Sequence, residues 1–395
     1  MIRDRTERIL LHSAHLVTDG QVTRDGWLLL RDGLIEDMGT GESWRSRVTT
    51  AQAGVNDQTE VVDLKGAWVA PGFVDIHCHG AGGFAFDDGP DAALKALDVH
   101  RQHGTTSSVL SFVTDTVPAM AERLAWAAHL TEEHPAVLGS HAEGPFLDPG
   151  HRGAHDEKLL VNPTTEATVE LIEAARGTLR QITLAPERDG AARAITDLCA
   201  AGITVAVGHT DATYEDARQA FDAGARILTH AFNGMNAIHH RAPGPVVAAL
   251  AREDITLELI CDGVHVHPQV MAMIFGSARE RTALITDAMS ATCMHDGDYT
   301  LGSLPVTVTD GVARLAGGGS IAGSTLTMDK VVKRAVEEVG LPLEQAVYAA
   351  TQAPLRAINA GEDRGRLAPG LRADLVVLTK DLNVESVYVA GKKAT

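Results

Sequence analysis

Two histidines, His77 and His79, stand at the end of an apolar stretch of residues 69–76 and are the side chains best placed to do chemistry. Successive side chains of a β-strand point to opposite faces, so two residues spaced by two share a face. Two imidazoles on one face can bind a common metal ion, and Cys78 between them is expected to point away and not to bind it. Alone, the pair could equally be two polar residues at a strand end, so the interpretation depends on the other strand ends.

Ligand-type side chains recur at the ends of four later apolar stretches, as Glu143, His209, His230 and Asp287. Each alone has a simpler explanation; Asp287 could cap a helix, and Glu143 could be a buried ion-pair partner. Structural histidines, however, have no reason to recur at successive strand ends. Four histidines and two carboxylates form a nitrogen and oxygen set that suits Zn²⁺, Fe²⁺ or Mn²⁺ better than Ca²⁺ or Cu⁺. The pattern therefore predicts a metal centre.

Apolar segments with the length of strands alternate with Ala-rich amphipathic segments across most of the chain. The predicted strands cover residues 73–77, 106–113, 137–143, 181–186, 204–209, 226–230, 256–261 and 283–287. The predicted helices between them cover residues 92–103, 117–133, 164–175, 191–201 and 214–223. Eight strands with helical returns favour an α/β fold of the parallel (β/α)8 barrel type, in which the carboxyl ends of the strands meet at one mouth. A doubly wound open sheet is the main alternative.

Both ends of the chain have a different pattern, made of short strand-like segments. Asp-Gly pairs at residues 19–20, 25–26 and 32–33 indicate turns in the N-terminal part. Strands are predicted again at residues 373–378 and 384–389, after helices at 326–339 and 343–350. A short strand set would leave open edges, so we expect the two ends to pair. The prediction is a small β-sandwich domain of residues 1–70 and 365–395 on a barrel domain of residues 71–364.

Composition excludes several classes of protein. The chain has 395 residues, enough for a large core, and a net charge of -18, which argues against a nucleic-acid-binding surface. It has no window of about 18 uninterrupted apolar residues, so no membrane-spanning helix is expected. Four scattered cysteines without a CxxC pair suit a reducing cytoplasm.

The motifs together resemble the amidohydrolase superfamily and, within it, the family of N-acetylglucosamine-6-phosphate deacetylases. The resemblance covers nearly the whole chain and is carried by residues 71–80, 141–147, 153–155, 208–210, 230–235, 262–265 and 286–289. The Glu-Gly-Pro-Phe and Asp-Gly-x-His segments separate this family from dihydroorotases and ureases. The lysine ligand that is usual in those relatives is absent, because the fourth strand ends in Leu184-Ala185-Pro186-Glu187.

The resemblance implies one or two divalent metal ions per subunit, with Zn²⁺ expected first and Fe²⁺ or Mn²⁺ as alternatives. Glu143, His209 and His230 would bind the metal that all members share. His77 and His79 would bind a second ion, with Glu143 as the bridge. Family members with Gln-x-Asn on the first strand hold one metal, whereas members with His-x-His, as here, can hold two.

The implied reaction is hydrolysis of the N-acetyl group of N-acetylglucosamine 6-phosphate to glucosamine 6-phosphate and acetate, in amino-sugar metabolism and cell-wall recycling. Asp287 would accept a proton from the attacking water and donate it to the departing nitrogen. Arg241 would hold the phosphate, since one guanidinium can form two hydrogen bonds to it. The other substrate contacts implied by resemblance are Ala154, His155, Asn233, Gly234, His265, Ile321, Ala322 and Gly323.

Two other functions remain open at this point. One is deacetylation of another N-acetylhexosamine phosphate, such as the galactosamine epimer. The other is a non-catalytic binding or scaffold protein on the same barrel, although such relatives typically lack metal ligands. The resemblance also implies a homodimer and leaves open whether Arg241 acts in its own subunit or across the interface.

Overall fold

The computed structural model describes residues 8–48, 59–317 and 319–395. The parts of the predicted N-terminal domain at residues 1–7 and 49–58 lie outside the described residues. The N-terminal elements are β1 (Arg8–Thr18), β2 (Gln21–Arg31), β3 (Leu34–Thr40), α1 (Arg45–Val48), β4 (Thr59–Asp63) and β5 (Trp68–Pro71). Two of the predicted Asp-Gly turns join β1 to β2 and β2 to β3, whereas Asp25 and Gly26 lie inside β2. The turn predicted at residues 25–26 was therefore wrong. Asp25 has a left-handed backbone, with a φ of 50°, and such a residue also occurs at a β-bulge, which here lies where the pairing with β1 shifts register.

The middle of the chain alternates strands and helices. In chain order its elements are β6 (Phe73–Asp75), β7 (Gly80–Ala81), β8 (Phe84–Ala85), α2 (Pro90–Gln102), β9 (Thr105–Val113), α3 (Val117–Glu133), β10 (Val137–Glu143), α4 (Thr165–Ala174), β11 (Leu179–Leu184), α5 (Ala191–Ala200), β12 (Thr204–Val207), α6 (Tyr214–Ala223), β13 (Ile227–Leu228), α7 (Gly244–Leu250), β14 (Thr256–Ile260), α8 (Pro268–Ala278) and β15 (Thr282–Ile285). Except for the small β7–β8 hairpin, these strands pair in parallel in the order β6, β9, β10, β11, β12, β13, β14, β15.

The last strand of this sheet returns to the first. The backbone N–H of Asp287, just after β15, donates to the carbonyl of His77, just after β6, at 2.9 Å. The Thr286 hydroxyl donates to the Asp75 carboxylate at 2.5 Å. Sequential parallel neighbours with this closure are the arrangement of a (β/α)8 barrel, so the barrel prediction is confirmed and the open doubly wound sheet is excluded.

Several barrel strands end earlier than predicted. His209, His230 and Asp287 lie just beyond their strands and have positive φ values of 48°, 25° and 50°. A residue in that region cannot continue the extended backbone, so the strand ends before it. Strained residues of this kind are common at functional sites, where the surrounding structure holds them in place.

An antiparallel three-stranded insert follows β15, formed by β16 (Gly297–Leu301), β17 (Leu304–Thr309) and β18 (Val312–Leu315). The sequence interpretation did not predict it. The chain then continues through α9 (Met328–Glu337), α10 (Leu343–Ala349), α11 (Gln352–Ala357), β19 (Leu375–Leu378), β20 (Val384–Val389) and β21 (Lys392–Lys393).

Strands from the two ends of the chain pair with each other, as predicted, and they do so within one sheet. β19 pairs antiparallel with β5, and β1 pairs in parallel with β4 along its first half and with β5 near its end. Leu28, Val69 and Leu375 contribute to the buried cluster that these strands enclose. The domain boundaries at residues 70 and 364 stay a prediction. Among the described helices, none combines the length and apolar character needed to cross a membrane.

Candidate active site

Glu143, the last residue of β10, lies at the centre of a buried histidine cluster. Its two carboxylate oxygens face the two histidines of the first strand: Oε1 is 3.2 Å from His77 Nε2, and Oε2 is 3.2 Å from His79 Nε2. The strand itself ends at Asp75, so the two histidines lie on the segment that follows it rather than on one face of the strand. Their ring nitrogens nevertheless converge, and the Cys78 sulfur instead lies 3.1 Å from His100 Nε2 of α2.

The two later histidines, His209 and His230, also contact the carboxylate of Glu143. Oε1 of Glu143 is 3.2 Å from His209 Nε2 and 3.3 Å from His230 Nε2. The two Nε2 atoms are 2.9 Å apart. His77 Nε2 is buried and has no hydrogen-bond partner. Ring nitrogens that converge around one carboxylate fit the ligand set of a divalent metal ion better than a hydrogen-bond network of their own.

Three of the four rings are oriented through their second nitrogen. Nδ1 of His77 is 3.1 Å from Glu258 Oε2, and Nδ1 of His79 is 3.2 Å from the Ser111 carbonyl. Nδ1 of His209 is 2.9 Å from the His151 carbonyl. An acceptor at Nδ1 holds the proton there and leaves Nε2 with a free lone pair, which is the form that binds metal.

Glu258, in the middle of β14, is a supporting residue that the sequence interpretation missed. It is fully buried and contacts three groups: His77 Nδ1, the Gln181 amide at 2.8 Å and the backbone N–H of His230 at 3.3 Å. Buried carboxylates are rare unless they are paired. A single glutamate inside an otherwise apolar strand was the signal that could have found it.

His141 is a second missed residue, and it too lies under the cluster. Its buried ring stacks edge-on against His77 at 4.7 Å between centroids and contacts the Ser111 and Thr183 hydroxyls at 3.0 and 2.8 Å. Burial lowers the pKa of His141 well below its usual value, so the ring is neutral. Its place two residues before Glu143 on the same strand was the available signal, because residues i and i+2 share a face.

The charges of the cluster depend on one another. Burial raises the pKa of Glu143, but His77 and hydrogen bonds from the surrounding rings outweigh burial and hold the pKa well below its usual range. Burial lowers the pKa of His79, but Asp287 and Glu143 overcome this and raise the pKa to about 9. For His155, burial outweighs the contact with Glu143 and lowers the pKa to about 4. The carboxylates are therefore ionised, and a divalent cation that binds here would displace the extra proton of His79, because only a neutral ring binds metal.

Asp287 lies beside the first-strand histidines at the edge of the cluster. Its Oδ1 is 3.4 Å from His79 Nε2 and 3.7 Å from His77 Nε2. Burial raises the pKa of Asp287, but the neighbouring His77 and His79 outweigh it and lower the pKa to about 2. An ionised carboxylate at this place is a hydrogen-bond acceptor and can take a proton.

A cavity of about 380 Å³ opens above the cluster. It brings together most of the predicted site residues: His79, Glu143, His209, His230, Asp287, Ala154, His155, Asn233, Gly234, His265, Ile321 and Gly323. His77 lies beneath this lining and is fully buried. Ala322 is also buried, in the apolar cluster behind the three-stranded insert. Arg241 is exposed and does not line the cavity.

Two lining histidines have defined orientations. Nε2 of His155 is 3.4 Å from Glu143 Oε2. Glu143, His155 and His209 thus form a second buried group whose donor atoms are close enough to share a metal ion. The first such group is His77, His79 and Glu143. His265 Nδ1 is 2.6 Å from Asp262 Oδ2, which leaves the opposite edge of the ring facing the cavity.

The lining also includes residues that the sequence interpretation did not select. Phe232 and Met235 follow His230, His151 is the last residue of the 3-10 turn after β10, and Leu301 comes from the end of β16. Leu301 is informative because it places the unpredicted three-stranded insert at the wall of the cavity. Its apolar side chain could not be recognised as part of a site without the fold.

Known proteins are similar to this chain over most of its length. A model of the amidohydrolase family matches residues 68–394. The N-acetylgalactosamine-6-phosphate deacetylase of Escherichia coli O157:H7 is 40% identical over 332 residues, which are 83% of this chain and 88% of that protein. The N-acetylglucosamine-6-phosphate deacetylase of Vibrio furnissii is 37% identical over 329 residues, 82% of each chain.

Solved structures show the same similarity over the entire fold. A mutant N-acetyl-D-glucosamine-6-phosphate deacetylase of Mycobacterium smegmatis, in complex with N-acetyl-D-glucosamine-6-phosphate, is 41% identical with a TM-score of 0.91 and covers 98% of this chain and 99% of its own. The corresponding protein of Pasteurella multocida is 28% identical with a TM-score of 0.89 and covers 98% and 100%.

Proposed function

This chain belongs to the amidohydrolase family, and from that premise we propose that it removes the acetyl group from N-acetylglucosamine 6-phosphate by metal-dependent hydrolysis, giving glucosamine 6-phosphate and acetate. The observation that carries the proposal is the convergence of four histidine Nε2 atoms on the carboxylate of Glu143, with Asp287 beside them and a cavity above. A reaction of this kind serves amino-sugar metabolism and cell-wall recycling.

We propose that the cluster holds one or two divalent metal ions. Glu143, His209 and His230 would hold the first, and His77 and His79 would hold the second with Glu143 between them. Zn²⁺ suits these nitrogen and oxygen donors best, with Fe²⁺ and Mn²⁺ as alternatives. When bound, such an ion lowers the pKa of water to about 7 and polarises a carbonyl group.

The chain's own residues then divide the work of amide hydrolysis. Asp287 is ionised, so it accepts a proton from the attacking water and returns it to the leaving nitrogen. His265, oriented by Asp262, offers a hydrogen bond to the sugar or to the acetyl carbonyl. Leu301 and Ile321 cover part of the cavity with apolar surface, which limits the access of bulk water to the amide.

Substrate contacts follow from the lining of the cavity. Asn233 and Gly234, after the left-handed His230 and Phe232, would offer amide donors to the phosphate. Asn233 would then exchange the hydrogen bonds that its side-chain amide donates to the carbonyls of His230 and Ala231. Ala154 and His155 lie on the loop after β10 and face the sugar, and Gly323 lies at the acetyl end with Ala322 behind it. The described residues that line the cavity include no arginine or lysine.

We assign the phosphate cation to Arg241, which is exposed and lies beside the cavity's Asn233–Met235 side in sequence. Its position outside the cavity is compatible with action across a homodimer interface, where the partner subunit would bring its copy of this side chain to the phosphate.

The galactosamine epimer is a second candidate substrate, because the E. coli relative is named for it. Both sugars share the 6-phosphate and the 2-acetamido group and differ in the orientation of one hydroxyl. The cytoplasm is the compartment we propose, because all four cysteines are free thiols and a sugar phosphate is an intracellular metabolite.

Metal analysis combined with acetate release tests these proposals. The purified protein is expected to contain a divalent metal, to release acetate from N-acetylglucosamine 6-phosphate, and to lose activity after chelation. Parallel assays with the galactosamine epimer rank the two sugar phosphates, and the unphosphorylated sugar tests the phosphate requirement. Absence of both metal and acetate release would instead favour a non-catalytic binding protein.

A further inference from the structure

A second group of reactive side chains comes together away from the metal cluster. His103 is the C-terminal cap of α2, Cys293 lies in the turn region between β15 and β16, and Asp329 lies in the first turn of α9. The Cys293 sulfur is 3.4 Å from His103 Nε2, and His103 Nδ1 is 3.1 Å from Asp329 Oδ2. The deacetylation proposed above uses none of these three side chains.

The order of the contacts distinguishes this group from a metal site. The sulfur and the carboxylate lie at opposite nitrogens of one imidazole, so the ring separates them and their donor atoms do not face a common point. A nucleophile, a base and a carboxylate in series is instead the arrangement that activates a nucleophilic side chain. Asp329 is itself fixed, because the Thr327 hydroxyl donates to its other oxygen at 2.5 Å.

The charges support the same interpretation. The hydrogen bond to Asp329 raises the pKa of His103 to about 10, and the contact with Cys293 acts in the same direction. Burial raises the pKa of Asp329, but hydrogen bonds from His103 and Thr327 outweigh it and lower the pKa below its usual value. His100, the other titratable group of α2 near this ring, is neutral because burial lowers its pKa to about 4. A positively charged ring beside a sulfur atom stabilises the negative charge of a thiolate.

Cys293 also differs from the other cysteines in exposure. It is exposed, whereas Cys78 and Cys261 are buried and Cys199 is half-buried. Burial raises the pKa of Cys199, and it raises the pKa of Cys261 to about 12, so these thiols are poor nucleophiles. The backbone of Cys293 has a φ of 63°, a conformation that few residues other than glycine adopt.

We propose that Cys293 is a site of covalent modification by low-molecular-weight disulfides, with His103 as the cation that stabilises the thiolate and Asp329 as the residue that positions the ring. The thiol loses its proton to water, and the sulfur, as a thiolate that accepts a hydrogen bond from His103 Nε2, attacks one sulfur of the disulfide. The disulfide bond breaks as the new S–S bond to Cys293 forms. The second sulfur leaves as a thiolate and takes up a proton, so one free thiol is released for each protein modified.

The test measures the reaction of the folded full-length protein with an aromatic disulfide, 5,5′-dithiobis(2-nitrobenzoate), at pH 7, and mass spectrometry locates the label. Cys293 is expected to react first, and Cys293→Ser is expected to remove the fast phase. Since an ordinary thiol is only a few per cent thiolate at this pH, His103→Ala is expected to slow the fast phase by about tenfold or more. His295→Ala, two residues along the chain from the thiol, is the matched control and is expected to retain the wild-type rate.

Chemical rescue separates a direct role of the ring from a structural one. Free imidazole is expected to restore part of the rate in His103→Ala and to leave the wild-type rate unchanged. Asp329→Asn is expected to slow the reaction less than His103→Ala does, and Asp329→Glu to regain part of that loss. An equal rate in wild type and His103→Ala, a failure of imidazole to rescue, or earlier labelling of Cys199 would overturn the proposal.

Discussion

Beneath the cavity, His77 and His79 are held by buried partners on β14 and β9, whereas at its rim Arg241 and residues 148–153 of the loop after β10 are exposed or half-exposed. The buried side is specified by packing and by hydrogen bonds that leave one ring nitrogen free. The rim depends on loops, which move more easily and tolerate change. The difference suggests that metal binding and turnover respond steeply to single substitutions, and that substrate preference responds gradually.

Asp287→Asn should cause the largest loss of activity, and it tests the buried side of the site. The amide cannot accept the proton of the attacking water, and removal of a general base typically costs about 10²–10⁴-fold in rate. Acetate release should fall by this factor, while metal content, measured by elemental analysis, stays unchanged. Turnover near the wild-type value would remove Asp287 from the role of base.

Glu258→Gln tests whether a residue without contact to substrate controls the metal centre. A carboxamide has one acceptor oxygen, yet Glu258 accepts from His77, Gln181 and the backbone of His230. Loss of such a supporting acceptor lowers metal affinity by about 10–100-fold, so competition with a chelator should extract the metal more easily. Glu253→Gln, on the exposed turn before β14, is the matched control, and equal chelator sensitivity in both variants would contradict the expectation.

Arg241→Gln tests the exposed rim. Charge-assisted hydrogen bonds contribute about 1.5–3 kcal/mol, so KM for the phosphorylated sugar should rise by about tenfold to a hundredfold. Hydrolysis of the unphosphorylated sugar should not change. Arg24→Gln, an exposed arginine of β2, is the control. If the two sugars lose activity equally, Arg241 does not bind the phosphate.

Asp262→Asn should cause the smallest loss of activity of these four substitutions. Asn keeps the oxygen that accepts from the backbone N–H groups of Val264 and His265, but it replaces the oxygen that faces His265 Nδ1. The His265 ring can change tautomer and accept from the new amide N–H, so the net change is that of about one neutral hydrogen bond. That is about 0.5–1.5 kcal/mol, which corresponds to about a twofold to tenfold loss in kcat/KM. A loss as large as that of Asp287→Asn would show that the rim is as strictly specified as the metal side.

The sequence predicted the barrel and its ligands because both depend on local and periodic signals. The helix at Val117–Glu133 and the strand at Val137–Glu143 have the bounds that their patterns indicated. The candidate metal ligands were recognised because polar side chains interrupt apolar strands at regular places. Their roles as ligands stay a prediction, but the structure brings them together around Glu143.

Other features depend on contacts between distant segments and could not be read so directly. The role of Glu258 arises from its contacts with residues far away in the chain. The three-stranded insert had a usable signal, since Leu304–Thr309 alternates in polarity and precedes the Asp310-Gly311 turn. Its position at the cavity wall is a tertiary property. The same holds for Arg241, whose sequence motif gives no information on which side of the loop is exposed.

The pairing of β5 with β19 joins segments that are separated by roughly 300 residues of chain. During synthesis at about 5–20 residues per second, the ribosome releases the first strands about 15–60 s before their last partner exists. Over that interval the edge of β5 and the apolar side chains of β1 and β2 lack their final cover. Chaperone binding to the nascent chain, and aggregation of truncated translation products, are therefore expected to concentrate on these early strands.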